Sequence, residues 1–168
     1  METVLILDFG AQYSQLIARR VREQNVYCEV KPCSISPAEI EKIAPIGIIL
    51  SGGPQSVYES VSPHVDPALF ALGIPVLGIC YGCQLMAYSL GGTVAAATEA
   101  TAREYGKTLT EFDTDCSIFQ GLPASSVTWM SHGDYISQVP DGFAVTAKTA
   151  VCPTAAMACP EKKLYGVQ

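Results

Sequence analysis

IPVLGICYGCQLMAYSLGG, residues 74–92, changes its pattern within a few positions. IPVLGI (74–79) is an unbroken apolar run, as expected of a strand covered on both faces. YGCQLMAYSLGG reads as a helix stopped by Gly91 and Gly92. Between them lies G-x-C-x-G, from Gly78 to Gly82, with Cys80 at the turn. Such a strand–turn–helix predicts a sharp elbow. Its glycines remove side chains where strand and helix crowd, and the residue between them is held exposed on a strained backbone.

Outward from this elbow, the first half of the chain alternates strand and helix. VLILD (4–8), VYCEV (26–30) and IGIIL (46–50) read as strands. AQYSQLIARRVREQ (11–24) has Tyr13, Leu16, Ile17 and Val21 at helical spacing. Ser36-Pro37-Ala38-Glu39 predicts a helix start, with Ser as N-cap, Pro in the first turn and Glu closing a capping box. Strands without polar alternation suit a parallel sheet between helices, so the expectation is a doubly wound α/β domain. From Thr93 onward helical spacing fades. TVAAAT (93–98), KTLTEF (107–112), SVTWM (126–130), FAVTA (143–147) and LYGVQ (164–168) read as strands, with antiparallel additions to the sheet. No repeat, linker or low-complexity segment is visible, so residues 1–168 are expected to form one domain. LYGVQ reads as a strand cut at its C-terminal end, where ligands gather in open α/β sheets.

Composition narrows the function classes. The 168 residues are 49% hydrophobic and only 15% charged, which favours a folded core over disorder. The net charge is −6 and no basic run occurs, so nucleic acid is not an expected partner. No apolar run approaches the roughly 20 residues of a membrane span, and no secretory leader is visible. A cytoplasmic location follows as the expectation, with the seven cysteines as free thiols, most of them in the core.

Cys80 and Cys83 admit three readings. A C-x-x-C at a helix start suits a redox dithiol. Half of a zinc site would need two further ligands, yet Cys152 and Cys159 are poorly spaced, His64 and His132 are isolated, and no metal site is expected. The third reading makes Cys80 a nucleophile on the elbow, with Cys83 one turn into the helix and packed against the sheet. The helix N-terminus would then favour the thiolate. A thiolate attacking a carbonyl needs an oxyanion hole. The Tyr81 N–H is one donor, and Ser51-Gly52-Gly53-Pro54 after IGIIL offers a second, although an ordinary turn would also account for SGGP.

SGGP followed by GICYGCQ resembles the class I glutamine amidotransferases, whose nucleophile motif is similar to G-[I/V]-C-x-G-x-Q. LILDFGAQYSQLIARRVRE, LSGGPQSVY, WMSHGD (129–134) and the final YGVQ extend the resemblance over nearly the whole chain. The likeness implies a flavodoxin-like, mainly parallel sheet flanked by helices. It implies that the Cys80 thiolate attacks the side-chain amide of glutamine, releasing ammonia and leaving a thioester that water hydrolyses. Gly53 and Tyr81 would supply the oxyanion hole. Gln84 and the loop Ser131-His132-Gly133-Asp134 would hold the glutamine. The motifs are closest to the branch that delivers ammonia to an ATP pyrophosphatase (synthetase) domain, which adenylates XMP and aminates it to GMP. ATP and magnesium would belong to that domain, and this one would need no cofactor. The family takes its base from a His, supported by a Glu, in an HPE motif after a strand like YGVQ. The sequence stops at Gln168, so an incomplete triad and a poor or inactive glutaminase are expected of this stretch alone.

Other residues carry plainer expectations. His132 is an alternative base or a hydrogen-bonded loop histidine, and His64 a surface residue at a helix start. Trp129, beside Met130, is expected in the core. Asp8-Phe9-Gly10 is read as a turn at the sheet's end, and no G-x-G-x-x-G dinucleotide fingerprint occurs. Arg19, Arg20 and Arg22 form a small basic face, either solvated or turned toward the synthetase domain. Three competing functions remain at this point: a non-catalytic protein of amidotransferase fold, the glutaminase of another enzyme such as anthranilate synthase, and a thiol-disulfide oxidoreductase. The DFGAQYSQLIARR and WMSHGD stretches count against anthranilate synthase. Replacing Cys83 would abolish only the oxidoreductase.

Overall fold

The computed structural model describes residues 2–97 and 103–168. Its first half runs β1 (Thr3–Asp8), α1 (Ser14–Glu23), β2 (Tyr27–Pro32), α2 (Pro37–Ile43), β3 (Gly47–Leu50), β4 (Val76–Ile79) and α3 (Tyr81–Ser89). The second half is mostly strand: β5 (Thr93–Ala96), β6 (Glu104–Phe112), β7 (Ser125–His132), β8 (Asp134–Gln138), β9 (Ala144–Lys148), β10 (Ala156–Cys159) and β11 (Leu164–Val167). A nine-stranded sheet has the order β2-β1-β3-β4-β11-β10-β9-β6-β7. Its first five strands are mutually parallel. The remaining pairings are antiparallel. β5 and β8 form a separate antiparallel pair. The fold is thus the expected α/β sheet with an antiparallel extension.

Strand alternation divides the apolar residues between two faces. Leu5 and Leu7 of β1 face one side with Ile40, Leu85 and Met86 from α2 and α3. Ile6 faces the other, beneath Ala18, Ile17 and Val21 of α1. β10 divides in the same way: Met157 and Cys159 join the α3 side, and Ala156 and Ala158 pack with Met130 and Phe119. The predicted capping box of α2 is present. Ser36 Oγ accepts from the Glu39 N–H, and Glu39 Oε2 accepts from the Ser36 N–H. Arg19 and Arg20 both pair with Glu23 on the solvent side of α1.

Several expectations need correction. Tyr13 precedes α1 and is 64% exposed, and Leu16 is 46% exposed. Small residues, Ser14 and Ala18, turn inward instead, which lets the helix lie close to the sheet. Trp129 is not in the core. Met130 and His132 point inward on β7, so strand alternation puts Trp129 outside, 75% exposed. β8 and β10 are strands that no sequence pattern announces. TVAAAT forms β5 through Ala96, and its last residue, Thr98, lies outside the described residues. Asp8-Phe9-Gly10 is the expected turn, with Gly10 at φ 87° and its N–H donating to Asp8 Oδ1. Among the described residues, no helix is long and apolar enough to cross a membrane.

Candidate active site

Cys80 stands between β4 and α3 with φ 52° and ψ −109°. A non-glycine residue rarely occupies this region, so the elbow is strained and its neighbours must hold it in place. The Cys80 N–H donates to the Val167 carbonyl at 2.8 Å, and the Gly82 N–H to the Ser51 carbonyl at 3.1 Å. The glycines are sterically required. A Cβ on Gly78 would lie 2.6 Å from the Gly82 carbonyl oxygen, and one on Gly82 would strike the Leu50 backbone and lie 2.6 Å from its Cβ. G-x-C-x-G therefore makes the predicted elbow because the chain passes there at backbone contact distance.

The elbow opens onto a cleft of about 840 Å³ at the C-terminal ends of the parallel strands. Gly53, Cys80, Gln84 and the whole of Ser131-His132-Gly133-Asp134 line it. The Tyr81 side chain does not. It is buried, with its hydroxyl donating to the Pro63 carbonyl and its ring 5.4 Å from Phe9. Tyr81 serves the cleft through its backbone N–H, which bonds Cys80 and favours the thiolate. Gly53 is packed tightly beneath, where a Cβ would sit 3.0 Å from the Phe9 carbonyl oxygen and 3.3 Å from the Tyr81 ring.

Polar contacts bind the two sides of the cleft together. Gln84 Nε2 donates to the Asp134 carbonyl at 3.1 Å and to Gln168 Oε1 at 3.0 Å. Gln168 Nε2 in turn lies 3.4 Å from Cys80 Sγ. The Ser131 carbonyl is 4.0 Å from the same sulfur. The Asp134 carboxylate accepts from Ser56 Oγ and from the Tyr58 hydroxyl. Ser56 and Tyr58 fall within LSGGPQSVY and Gln168 within YGVQ, stretches that carry the resemblance, yet no role is read there for these three residues one by one.

Two electrostatic results depart from expectation. The Cys80 thiol is raised above its ordinary value of 9.0. Burial is the largest cause and the Asp134 charge adds to it, outweighing the Tyr81 N–H and Gln168, which act the other way. The helix end therefore does not bring the thiol below its ordinary value. His132 is buried at the end of β7 rather than in an open loop. Its Nδ1 contacts the Asp134 carbonyl and its Nε2 contacts Glu104, each at 3.0 Å. With both nitrogens engaged, His132 is not placed to take the Cys80 proton, and its ring supports the loop from behind.

The redox and zinc readings also meet the geometry. All seven cysteines are free thiols, and only Cys33 and Cys80 are not buried. Cys83 lies fully buried against β11, and burial pushes its thiol far above the usual range. In a working C-x-x-C dithiol the attacking sulfur must be accessible and easily ionised, and the Cys80 thiol, the more exposed of the pair, is instead raised. Glu104, His132 and Cys152 bring one ligand atom each to within 4.8 Å of one another. The Glu104 oxygens are already bonded to His132 and Thr149, and the Cys152 thiol is pushed up to about 11, chiefly by burial. Glu104 thus joins His132 and Thr149 in one buried hydrogen-bonded network.

A strained cysteine facing a two-sided polar cleft coincides with sequence similarity along the whole chain. The family model for Glutamine amidotransferase class-I matches residues 5–168. The chain belongs to the class-I glutamine amidotransferases. This amidotransferase is 54% identical over 167 residues to GMP synthase [glutamine-hydrolyzing] of Clostridium botulinum, covering 99% of this chain and 32% of that protein. It is 58% identical, at the same coverage, to the GMP synthase [glutamine-hydrolyzing] of Caldanaerobacter subterraneus. The chain thus spans about a third of the length of these curated relatives. The crystal structure of a candidate GMP synthase component from Thermoplasma acidophilum matches with a TM-score of 0.84 at 28% identity, covering all of this chain and 83% of that one. The amidotransferase fold is thereby shown by sequence and by shape.

Proposed function

We propose that this chain is the glutaminase part of a GMP synthase, hydrolysing glutamine to glutamate and ammonia. The observation that carries the reading is Cys80 on its strained elbow, facing Gln84 and the Ser131–Asp134 loop across one cleft. The ionised sulfur attacks the side-chain amide carbon of glutamine. A C–S bond forms and the carbonyl electrons move onto oxygen, where the Gly53 and Tyr81 N–H groups stabilise them. The C–N bond then breaks, the nitrogen takes a proton, and ammonia leaves. Water cleaves the thioester to give glutamate and restores the thiol. Gln84, Ser131, Gly133 and Asp134 hold the substrate. The family resemblance sets the base on residues that follow a strand like β11. This is supported by β11 itself, which brings Gln168 to 3.4 Å from the sulfur. Such a base would overcome the raised thiol pKa of the resting site.

Relatives named GMP synthase at 54% and 58% identity favour this branch over anthranilate synthase. Their extra length fits a synthetase domain as partner and recipient of the ammonia. ATP and magnesium are assigned to that partner, and no cofactor to this chain. A cytoplasmic location agrees with the free thiols.

Mass-mapped labelling with a glutamine-mimicking electrophile tests the proposal. Cys80 alone should be modified, and excess glutamine should block it. No modification at Cys80, or equal modification of Cys80 and Cys83, would reject a working glutamine site.

A further inference from the structure

Glu104 takes no part in the chemistry above, yet it is a buried carboxylate on β6, next to Tyr105, which lines the cleft. It opens β6 and stands directly opposite His132, the last residue of β7. Cross-strand partners of this kind interact strongly when both are desolvated. Their side chains are 5% and 1% exposed, and His132 Nε2 lies 3.0 Å from Glu104 Oε2. Behind Glu104, Thr149 Oγ1 accepts the backbone N–H groups of Cys152 at 2.9 Å and Val151 at 3.3 Å. The Thr149 hydroxyl therefore directs its hydrogen to Glu104 Oε1. On the other side, His132 Nδ1 meets the Asp134 carbonyl oxygen at 3.0 Å. A carbonyl oxygen only accepts, so Nδ1 carries a hydrogen.

The Asp134 carbonyl is thus held by two donors, His132 Nδ1 and Gln84 Nε2. Gln84 also reaches Gln168, which contacts Cys80. A single hydrogen-bonded path runs from Thr149 through Glu104, His132, Asp134, Gln84 and Gln168 to the sulfur. We propose that Glu104 is a positioning residue for the glutamine site: by fixing the His132 ring, it sets where the Asp134 carbonyl and the Gln84 side chain stand. The inference rests on the glutaminase reading of the cleft. Removing the carboxylate leaves His132 Nε2 buried without a partner, and the ring is then free to turn away from the loop. Glutamine at 104 repairs this. Its amide N–H donates to Nε2 while its carbonyl accepts from Thr149, and Nδ1 keeps its hydrogen.

The test compares the whole chain with its Glu104→Ala, Glu104→Gln and Thr149→Val variants. A glutamine-mimicking chloroketone probes the assembled site, and iodoacetamide probes the bare Cys80 thiol. In Glu104→Ala the chloroketone concentration giving half-maximal labelling should rise about tenfold, a loss of about 1.4 kcal/mol. The iodoacetamide rate should stay within about twofold, and Glu104→Gln should recover saturation to within about twofold, since it keeps each hydrogen bond. Thr149→Val should show the same split more weakly, and it serves if Glu104→Ala fails to fold. Unchanged half-saturation in the variants, parallel loss of both rates, or no recovery in a folded Glu104→Gln protein would overturn the proposal. Failure of the unmodified chain to show glutamine-protected labelling would instead reject the glutaminase reading. The network is then judged by nitrogen NMR of the His132 ring. A slowly exchanging Nδ1–H, retained in Glu104→Gln and lost in Glu104→Ala, supports it, and a fast-exchanging one in the unmodified chain overturns it.

Discussion

The β4–α3 elbow and the β6–β7 hairpin face one cleft, but they are built on opposite plans. The elbow lies in the parallel half, where both sheet faces are covered and α3 is buried from Tyr81 to Ala87. Its geometry is imposed by backbone contacts that exclude even a methyl group. The hairpin lies at the far edge of the sheet, with Tyr105, Leu109, Val127 and Trp129 open on one face. Its end is located by side chains, through Glu104, His132 and Asp134. Cys80 is therefore fixed by sterics and the opposing loop by hydrogen bonds. The first tolerates almost no change of shape, and the second almost no loss of a polar partner.

The largest effect that would break this comparison is a methyl group at each glycine. Gly82→Ala should destabilise the protein by about 3 kcal/mol, because Leu50 backbone stands in the way. Gly133→Ala should cost under about 0.5 kcal/mol, as among the described residues its Cβ would meet only the Tyr105 hydroxyl at 3.5 Å and Arg103 Nε at 3.9 Å. Equal denaturant midpoints for the two variants would remove the steric half of the argument.

Alkaline pH sharpens it next. Cys83 and Cys152 have folded pKa values above their ordinary 9.0, both chiefly through burial. Above pH 9 the unfolded chain gives up these protons while the folded chain retains them. Stability should hold below pH 9 and fall above it, by at most about 1.4 kcal/mol per pH unit for each thiol. Cys152 reaches about 11 and Cys83 lies higher, so Cys83→Ala should flatten the slope over a wider pH range than Cys152→Ala. Denaturant melts from pH 8 upward measure this, and identical slopes in both variants would contradict the higher pKa of Cys83.

The smallest effect is at the hairpin surface. Trp129→Ser should change stability by no more than about 0.5 kcal/mol, since its ring is 75% exposed. A loss of several kcal/mol in thermal melts would return Trp129 to the core, where its residue type alone would put it.

The same division explains what could be read in advance. β1, β3 and β4 are continuous apolar runs, and burial on both faces demands that pattern. The elbow glycines, Cys80 and Gln84 fall within one short stretch, so chain order alone brings them together. β10 gave no comparable signal. Its residues, Ala-Met-Ala-Cys, have little strand preference, and they form a strand because β9 and β11 flank them and both faces are covered. Trp129 and Tyr13 misled for a related reason. A large aromatic side chain marks the core only on average, and strand alternation or a helix start can place it outside.

By itself the sequence determined the parallel half, the elbow and the cysteine it carries, because short apolar strands, close glycines and a helix start are local instructions. It also set the family, through motifs carried in order along the chain. Only the tertiary structure decided the state of the Cys80 thiol, the inward turn of His132 and the link from Glu104 to Gln84. Those depend on burial and on contacts between residues 28 to 88 positions apart, which no local pattern encodes.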